Sequence, residues 1–143
     1  MAITPGQNAT AADIKTAAMK AIEVMVVDPS QEVDTTTGIF YAYIPLSASG
    51  YNLVRAQAYI PENGTAGVTG PTTIQVQNIT KYPSNPALST AISIASGEKT
   101  GTPGTVDPLY DDVSVGNKIK ISVTGQSTTK PKGLVVVLDF KLP

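Results

Sequence analysis

The sharpest alternation of apolar and polar residues in the chain runs from Asp111 to Leu142, DDVSVGNKIKISVTGQSTTKPKGLVVVLDFKL. Ile119, Ile121 and Val123 alternate with Lys118, Lys120, Ser122 and Thr124. After a polar turn, Leu134, Val136, Leu138, Phe140 and Leu142 alternate with Val135, Val137, Asp139 and Lys141. Successive side chains of a strand point to opposite faces, so each segment offers one apolar face to a core. The pattern predicts two antiparallel β-strands. Val135 and Val137 depart from it, being apolar on the face that is polar in a free sandwich. Either both faces of that strand are covered within the domain, or one of them meets a neighbouring subunit.

Period two recurs upstream. Ile22 to Val27 predicts a strand stopped by Asp28-Pro29, and Gly38 to Ile44 predicts a β-branched and aromatic strand ending at Pro45. Tyr51 to Ile60 predicts a long strand, with Val54, Ala56, Ala58 and Ile60 on one face and Leu53, Arg55, Gln57 and Tyr59 on the other. Thr72 to Ile79 and the shorter Ile92 to Ile94 follow. Gly-, Pro-, Asn- and Ser-rich segments separate these runs at 61–71, 81–86 and 97–108. About eight strands punctuated by turn chemistry predict an all-β fold, an antiparallel, jelly-roll-like β-sandwich. No fixed-period repeat supports a solenoid or propeller. The segment Gly97 to Pro108 is too polar to pack alone and is expected to be mobile or pinned against a partner.

Residues 1–20 differ from the sandwich expected over 21–143. Thr10-Ala11-Ala12-Asp13 fits a helix start, with the Thr10 hydroxyl placed to accept a free backbone N–H and Asp13 near the positive helix end. Ile14, Ala17, Ala18 and Met19 then form a thin apolar stripe, so the helix needs something to pack against. The segment is expected to be a frayed terminus, a helix lying on its own domain, or an arm that docks on a neighbour with Ile14 and Met19 as its contact residues.

Composition narrows the chemistry. A chain of 143 residues is long enough for one domain with a core of its own. It contains no Cys, His or Trp, which removes disulfides, thiolate or imidazole metal sites and His-based triads. Charged residues make up 15%, against about 25% in ordinary soluble domains, and the formal net charge is -1. So neutral a chain has no electrostatic reason to seek nucleic acid or an anionic membrane, and little self-repulsion opposes its association with other proteins. No run reaches the ~20 apolar residues of a membrane span, and a basic, apolar leader is not seen.

Individual candidates are few. Asn8-Ala-Thr10, Asn63-Gly-Thr65 and Asn78-Ile-Thr80 match the glycosylation tripeptide, but such matches arise by chance in a Thr- and Asn-rich chain, and Asn63-Gly64 reads as a tight turn. Asp107, Asp111 and Asp112 cluster without EF-hand spacing, and no acid pair stands out for glycoside chemistry. No metal, cofactor or catalytic residue is assigned. Tyr41, Tyr43 and Tyr59 sit in strand patterns and are read as packing residues, whereas Tyr82 and Tyr110, in loops, are the better surface contacts. Lys118, Lys120, Lys130 and Lys132 are read as an exposed strand edge that discourages pairing.

From about Ile22 onward the strand-and-turn phrasing resembles a β-sandwich family of tailed-bacteriophage virion proteins. The phrases that carry it are Gly50-Tyr51-Asn52-Leu53-Val54, Thr73 to Thr80 (TIQVQNIT), Leu88-Ser89-Thr90 before Ile92-Ser93-Ile94, and Gly97-Glu98. Asp111-Asp112-Val113, Gly116-Asn117-Lys118-Ile119 and Pro131-Lys132-Gly133-Leu134 continue it, and Ile3 to Gln7 with Ala12-Asp13-Ile14 looks like the N-terminus of phage appendage proteins. The resemblance implies a non-enzymatic structural protein, commonly a trimer, made in the host cytoplasm and carried on the outer surface of the particle. It implies the major capsid protein or other virion proteins as partners. Compactness favours a head decoration (cement) protein; the alternative is a tail-fibre or baseplate domain that recognises host surface polysaccharide. On either reading the contact residues proposed are Ile14, Met19, Tyr82, Tyr110, Val135 and Val137.

Overall fold

The computed structural model describes residues 19–143. Nine strands form it: β1 (Lys20–Glu32), β2 (Ile39–Tyr43), β3 (Asn52–Tyr59), β4 (Thr72–Asn78), β5 (Leu88–Thr90), β6 (Ile92–Ile94), β7 (Thr105–Val106), β8 (Lys118–Gly125) and β9 (Lys132–Lys141). The one helical element among the described residues is a 3-10 turn at Leu46–Ala48. A three-stranded sheet of order β1-β9-β3 packs on a four-stranded sheet of order β2-β8-β4-β6, with a small β5-β7 ribbon beside them. All pairings are antiparallel, and the fold is the expected all-β sandwich.

Alternation explains the core. Leu134, Val136, Leu138 and Phe140 of β9 face Ile119, Ile121 and Val123 of β8 and Ile74 and Val76 of β4 across the interior, all at 3% exposure or less. The two C-terminal strands are sequence neighbours but not partners. β8 is central in one sheet and β9 is central in the other, so the polar turn between them crosses from sheet to sheet. That crossing lets the strongest apolar faces in the chain meet each other.

Three expectations change. β1 does not stop at Asp28-Pro29: as an edge strand it needs no ladder bond from Pro29, and its register shifts there accommodate the ring. The Asp28 carboxylate accepts the Ser30 N–H at 2.9 Å and caps the irregularity. In β3 a register shift between Leu53 and Arg55 reverses the faces at its start, so Leu53 is buried with Ala56, Ala58 and Ile60 while Val54 is exposed. Gly97 to Pro108 is pinned by its own domain. The N–H groups of Gly101 and Gly104 donate to the carbonyls of Ala58 (2.9 Å) and Ala56 (3.1 Å), and Thr105–Val106 pairs with β5. This segment seals the β3 side of the sandwich, because backbone bonds do not depend on apolar side chains.

Candidate interaction surfaces

The loop tyrosines pack against each other. Tyr82 and Tyr110 are half-buried and meet edge to face, with centroids 5.2 Å apart at 70°. The Tyr82 hydroxyl donates to the Asp112 carboxylate, and Lys81 Nζ donates to the same group. Beneath them Asn78, 2% exposed, donates to the Asn117 side-chain oxygen (2.9 Å) and the Asp112 carbonyl (3.3 Å), and accepts the Lys81 N–H (3.1 Å). The cluster fastens the turn after β4 to the segment before β8. It also explains Asn78-Ile-Thr80: a buried, triply bonded amide is no glycan acceptor in the folded chain.

The carboxylates of this region have separate duties. Asp107 accepts the Leu109 N–H at 3.0 Å, and Asp112 is held by Lys81 and Tyr82. Burial pushes the Asp111 carboxyl up, with the neighbouring Asp112 and Asp107 charges adding to it. Burial also acts to raise Asp112, but hydrogen bonds from Lys81 and Tyr82 outweigh it and hold that carboxyl below its ordinary value. Among the described residues no three acidic side chains converge on one point.

Tyr82 carries a pH-dependent consequence. Its hydrogen bond to Asp112, then burial, push its hydroxyl up to about 12 from an ordinary 10.0. Between those values the folded chain binds a proton that the unfolded chain has lost, so stability falls as pH rises through the window and is fully present below it. Ultraviolet titration of the folded chain is expected to show one tyrosine ionising near pH 12, and Asp112→Asn should move that midpoint toward 10.0. An unmoved midpoint would show that the carboxylate does not set it.

Val135 and Val137 stand on the outer face of β9. The rows across that sheet are Met25, Val135 and Tyr59, then Glu23, Val137 and Gln57, then Ala21, Asp139 and Arg55. Both valines are half-buried. On the β3 side Gln57 is covered, donating to the Gly101 carbonyl at 2.7 Å. On the β1 side Met25 is 49% exposed. The domain itself therefore covers much of this second face. Met19, 48% exposed, precedes β1, whereas Ile14 and the predicted helix lie outside the described residues.

Sequence reasoning missed the most exposed aromatic surface. Ile39, Tyr41 and Tyr43 point out from β2, and Tyr41 and Tyr43 are 48% and 63% exposed. Across the ladder they oppose Ser122, Lys120 and Lys118. Lys118 Nζ lies 5.3 Å from the Tyr41 ring centroid and 5.7 Å from that of Tyr43, in reach of a cation–π contact. Lys118 and Lys120 are thus not edge guards, because β8 is an interior strand and they crown its outer face. The only sequence signal was Tyr41-Ala42-Tyr43 in period two, which marks a shared face but not its exposure.

A groove of about 610 Å³ lies between the end of β1 and segments 65–68 and 128–132, lined by Glu32, Thr65, Val68, Thr129, Lys130 and Lys132. Lys130 is engaged within the molecule, 3.3 Å from Asp34 and 4.0 Å from Glu32. Hydrogen bonds from the Thr37 N–H and the Thr36 hydroxyl hold the Asp34 carboxyl well below the usual carboxylate range.

No family model and no curated protein matches the chain. Among solved structures it is similar to a chain of the cyanophage Pam1 capsid asymmetric unit, at 16% sequence identity and a TM-score of 0.51. The match covers 87% of this chain and 84% of that one, so what the two share is the fold of nearly the whole domain.

Proposed function

We propose that the chain is a non-enzymatic structural protein of a tailed-phage virion, bound to the outer surface of the head as a decoration protein. The observation that carries this reading is the fold shared along most of both chains with a component of the Pam1 capsid asymmetric unit. The phage-like phrasing of the strands supports it independently, and so do the low charge and the apolar outer positions Met25, Ile39, Tyr41 and Tyr43. The shell protein is the partner, and three copies meeting around a symmetry axis are the arrangement the resemblance favours. On this reading the arm expected over residues 1–20 reaches a neighbour, with Ile14 and Met19 as its contacts. Neither membrane nor nucleic acid enters the reading; no helix among the described residues is long and apolar enough to cross a membrane.

Adhesion through strand edges and apolar contacts has a measurable mark. Exposed ion pairs are screened at about 1 M salt, where the Debye length is ~3 Å, whereas buried apolar contacts are not. Purified protein added to phage heads that lack it is expected to bind, and to stay bound through sedimentation in about 1 M salt. Release at moderate salt, or binding to host surface polysaccharide in place of heads, would overturn the decoration reading; the latter result favours a receptor-binding role.

A further inference from the structure

Among the described residues the sandwich leaves two edges free, β1 and β2, and they are built differently. β1 carries Glu23, Asp28 and Glu32, contains Pro29 and is broken by two register shifts. Charge, proline and bulges are the devices by which sheets discourage pairing at an edge. β2 reads Ile39-Phe40-Tyr41-Ala42-Tyr43, continuous in register and without any of them. One edge is guarded and the other is not.

The unguarded edge is also chemically open. At its two ends the Val123 N–H donates to the Gly38 carbonyl (2.7 Å) and the Ile44 N–H donates to the Asn117 carbonyl (3.0 Å). Ladder bonds in an antiparallel pair fall on alternate residues, so Gly38, Phe40, Ala42 and Ile44 face β8. The N–H and carbonyl groups of Ile39, Tyr41 and Tyr43 therefore point outward, and none of them has a partner among the described residues. Their side chains are exposed as well, at 39%, 48% and 63%. Lys118 leans over both tyrosine rings, toward this edge, and neither Lys118 nor Lys120 forms an ion pair among the described residues.

We propose that β2 receives an extended acidic segment of another virion protein as an added strand, its alternate carboxylates answered by Lys118 and Lys120. Main-chain hydrogen bonds to Ile39, Tyr41 and Tyr43 supply affinity, and the lysines select for charge. A second copy of this chain fits less well. Its β2 brings no carboxylate to Lys118, and a five-residue edge contributes little toward the ~800 Å² per partner of a stable dimer. The partner's class rests on the virion reading; the strand-addition site does not.

The test uses the full chain and two blocked heptapeptides, Val-Glu-Val-Glu-Val-Glu-Val and its counterpart with Lys for Glu, followed by fluorescence anisotropy and amide exchange. The acidic peptide is expected to bind at least about tenfold more tightly than the basic one, and to slow exchange at Ile39, Tyr41 and Tyr43. A Lys118→Glu, Lys120→Glu double variant should reverse the preference while leaving the circular dichroism spectrum unchanged. Tyr41→Pro, which removes one outward N–H, should weaken binding by about tenfold. Equal binding of the two peptides, protection at other amides, or protection that grows with protein concentration without peptide would overturn the proposal. Head binding is measured separately. Intact head binding with no peptide binding sinks the edge site alone, whereas peptide binding without head binding sinks the decoration reading alone.

Discussion

Phe140→Ala is expected to lower the free energy of unfolding by about 3–5 kcal/mol, the range for removing a fully buried aromatic ring. Phe140 is 1% exposed on the inner face of β9, the central strand of its sheet, between Lys20 of β1 and Leu53 of β3. Its ring borders a void of about 10 Å³ shared with Leu53, Val76, Asn78, Val113 and Ile119. Those neighbours belong to both sheets and to the segment held by the Asn78 bonds, so the walls have little freedom to collapse into the space. The cost should lie toward the upper part of the range, because it grows with the cavity that remains. Val135→Ala, on the outer face of the same strand and half-buried, should cost only about 1 kcal/mol. Urea denaturation with an unchanged slope checks both. Equal costs would mean that the two faces of β9 are equally buried.

Gly133→Ala is expected to cost about 2–5 kcal/mol, from two separable causes. Gly133 has φ +86°, a left-handed conformation that strains a residue with a Cβ by roughly 1–2 kcal/mol. An added Cβ would also lie 2.8 Å from Pro61 Cγ and 2.9 Å from Pro29 Cα, and such overpacking adds about 1–3 kcal/mol. Gly50 separates the terms, since it has φ +84° but nothing within 4 Å of the added atom. Gly50→Ala should therefore cost the conformational part alone. If Gly50→Ala proves as damaging as Gly133→Ala, the close approach of β9 to the two prolines contributes nothing.

Gly133 lies where three parts of the chain converge: the bulged end of β1, the turn that opens at Pro61 and the start of β9. The N–H of Val33 donates to the Pro131 carbonyl at 2.8 Å, and Thr65 and Lys132 exchange backbone bonds at 3.1 and 2.9 Å. This convergence also forms the groove around Lys130. Disturbing Gly133 is thus expected to reach the groove as well as the stability of the sandwich, while the β2 edge, in the other sheet, should keep its outward groups.

Much of the core was legible from period two. A strand that buries one face must place every second side chain against it, and Ile119 to Val123, Leu134 to Phe140, Ile74 to Val76 and Ile92 to Ile94 all do so. The same local rule failed where a local rule has no purchase. The bulge after Leu53 moved Val54 outward, because a register shift depends on the partner strand. Neither Leu88–Thr90 nor Thr105–Val106 shows an alternation that predicts a strand, since both are short and pair mainly with each other. The segment 97–108 looked too polar to pack, yet backbone bonds to Ala56, Ala58 and Ser93 hold it, and those leave no mark in side-chain hydropathy.

The tyrosines show the limit most clearly. Tyr41 and Tyr43 occupy a strand pattern, which suggests packing, but their strand lies at the margin of its sheet and no described residue covers its outer face. Tyr82 and Tyr110 occupy loops, which suggests exposure, but the turn after β4 folds one against the other over Asp112. Sequence alone determined the all-β class, the faces of the principal strands and the absence of His and Cys chemistry, because side-chain alternation and composition are properties of the chain itself. Tertiary structure decided that β8 and β9 stand in opposite sheets and that, among the described residues, β1 is a guarded edge and β2 an open one. Those outcomes depend on which strand lies beside which, and that is set by the joint burial of faces distant in sequence, which no single segment records.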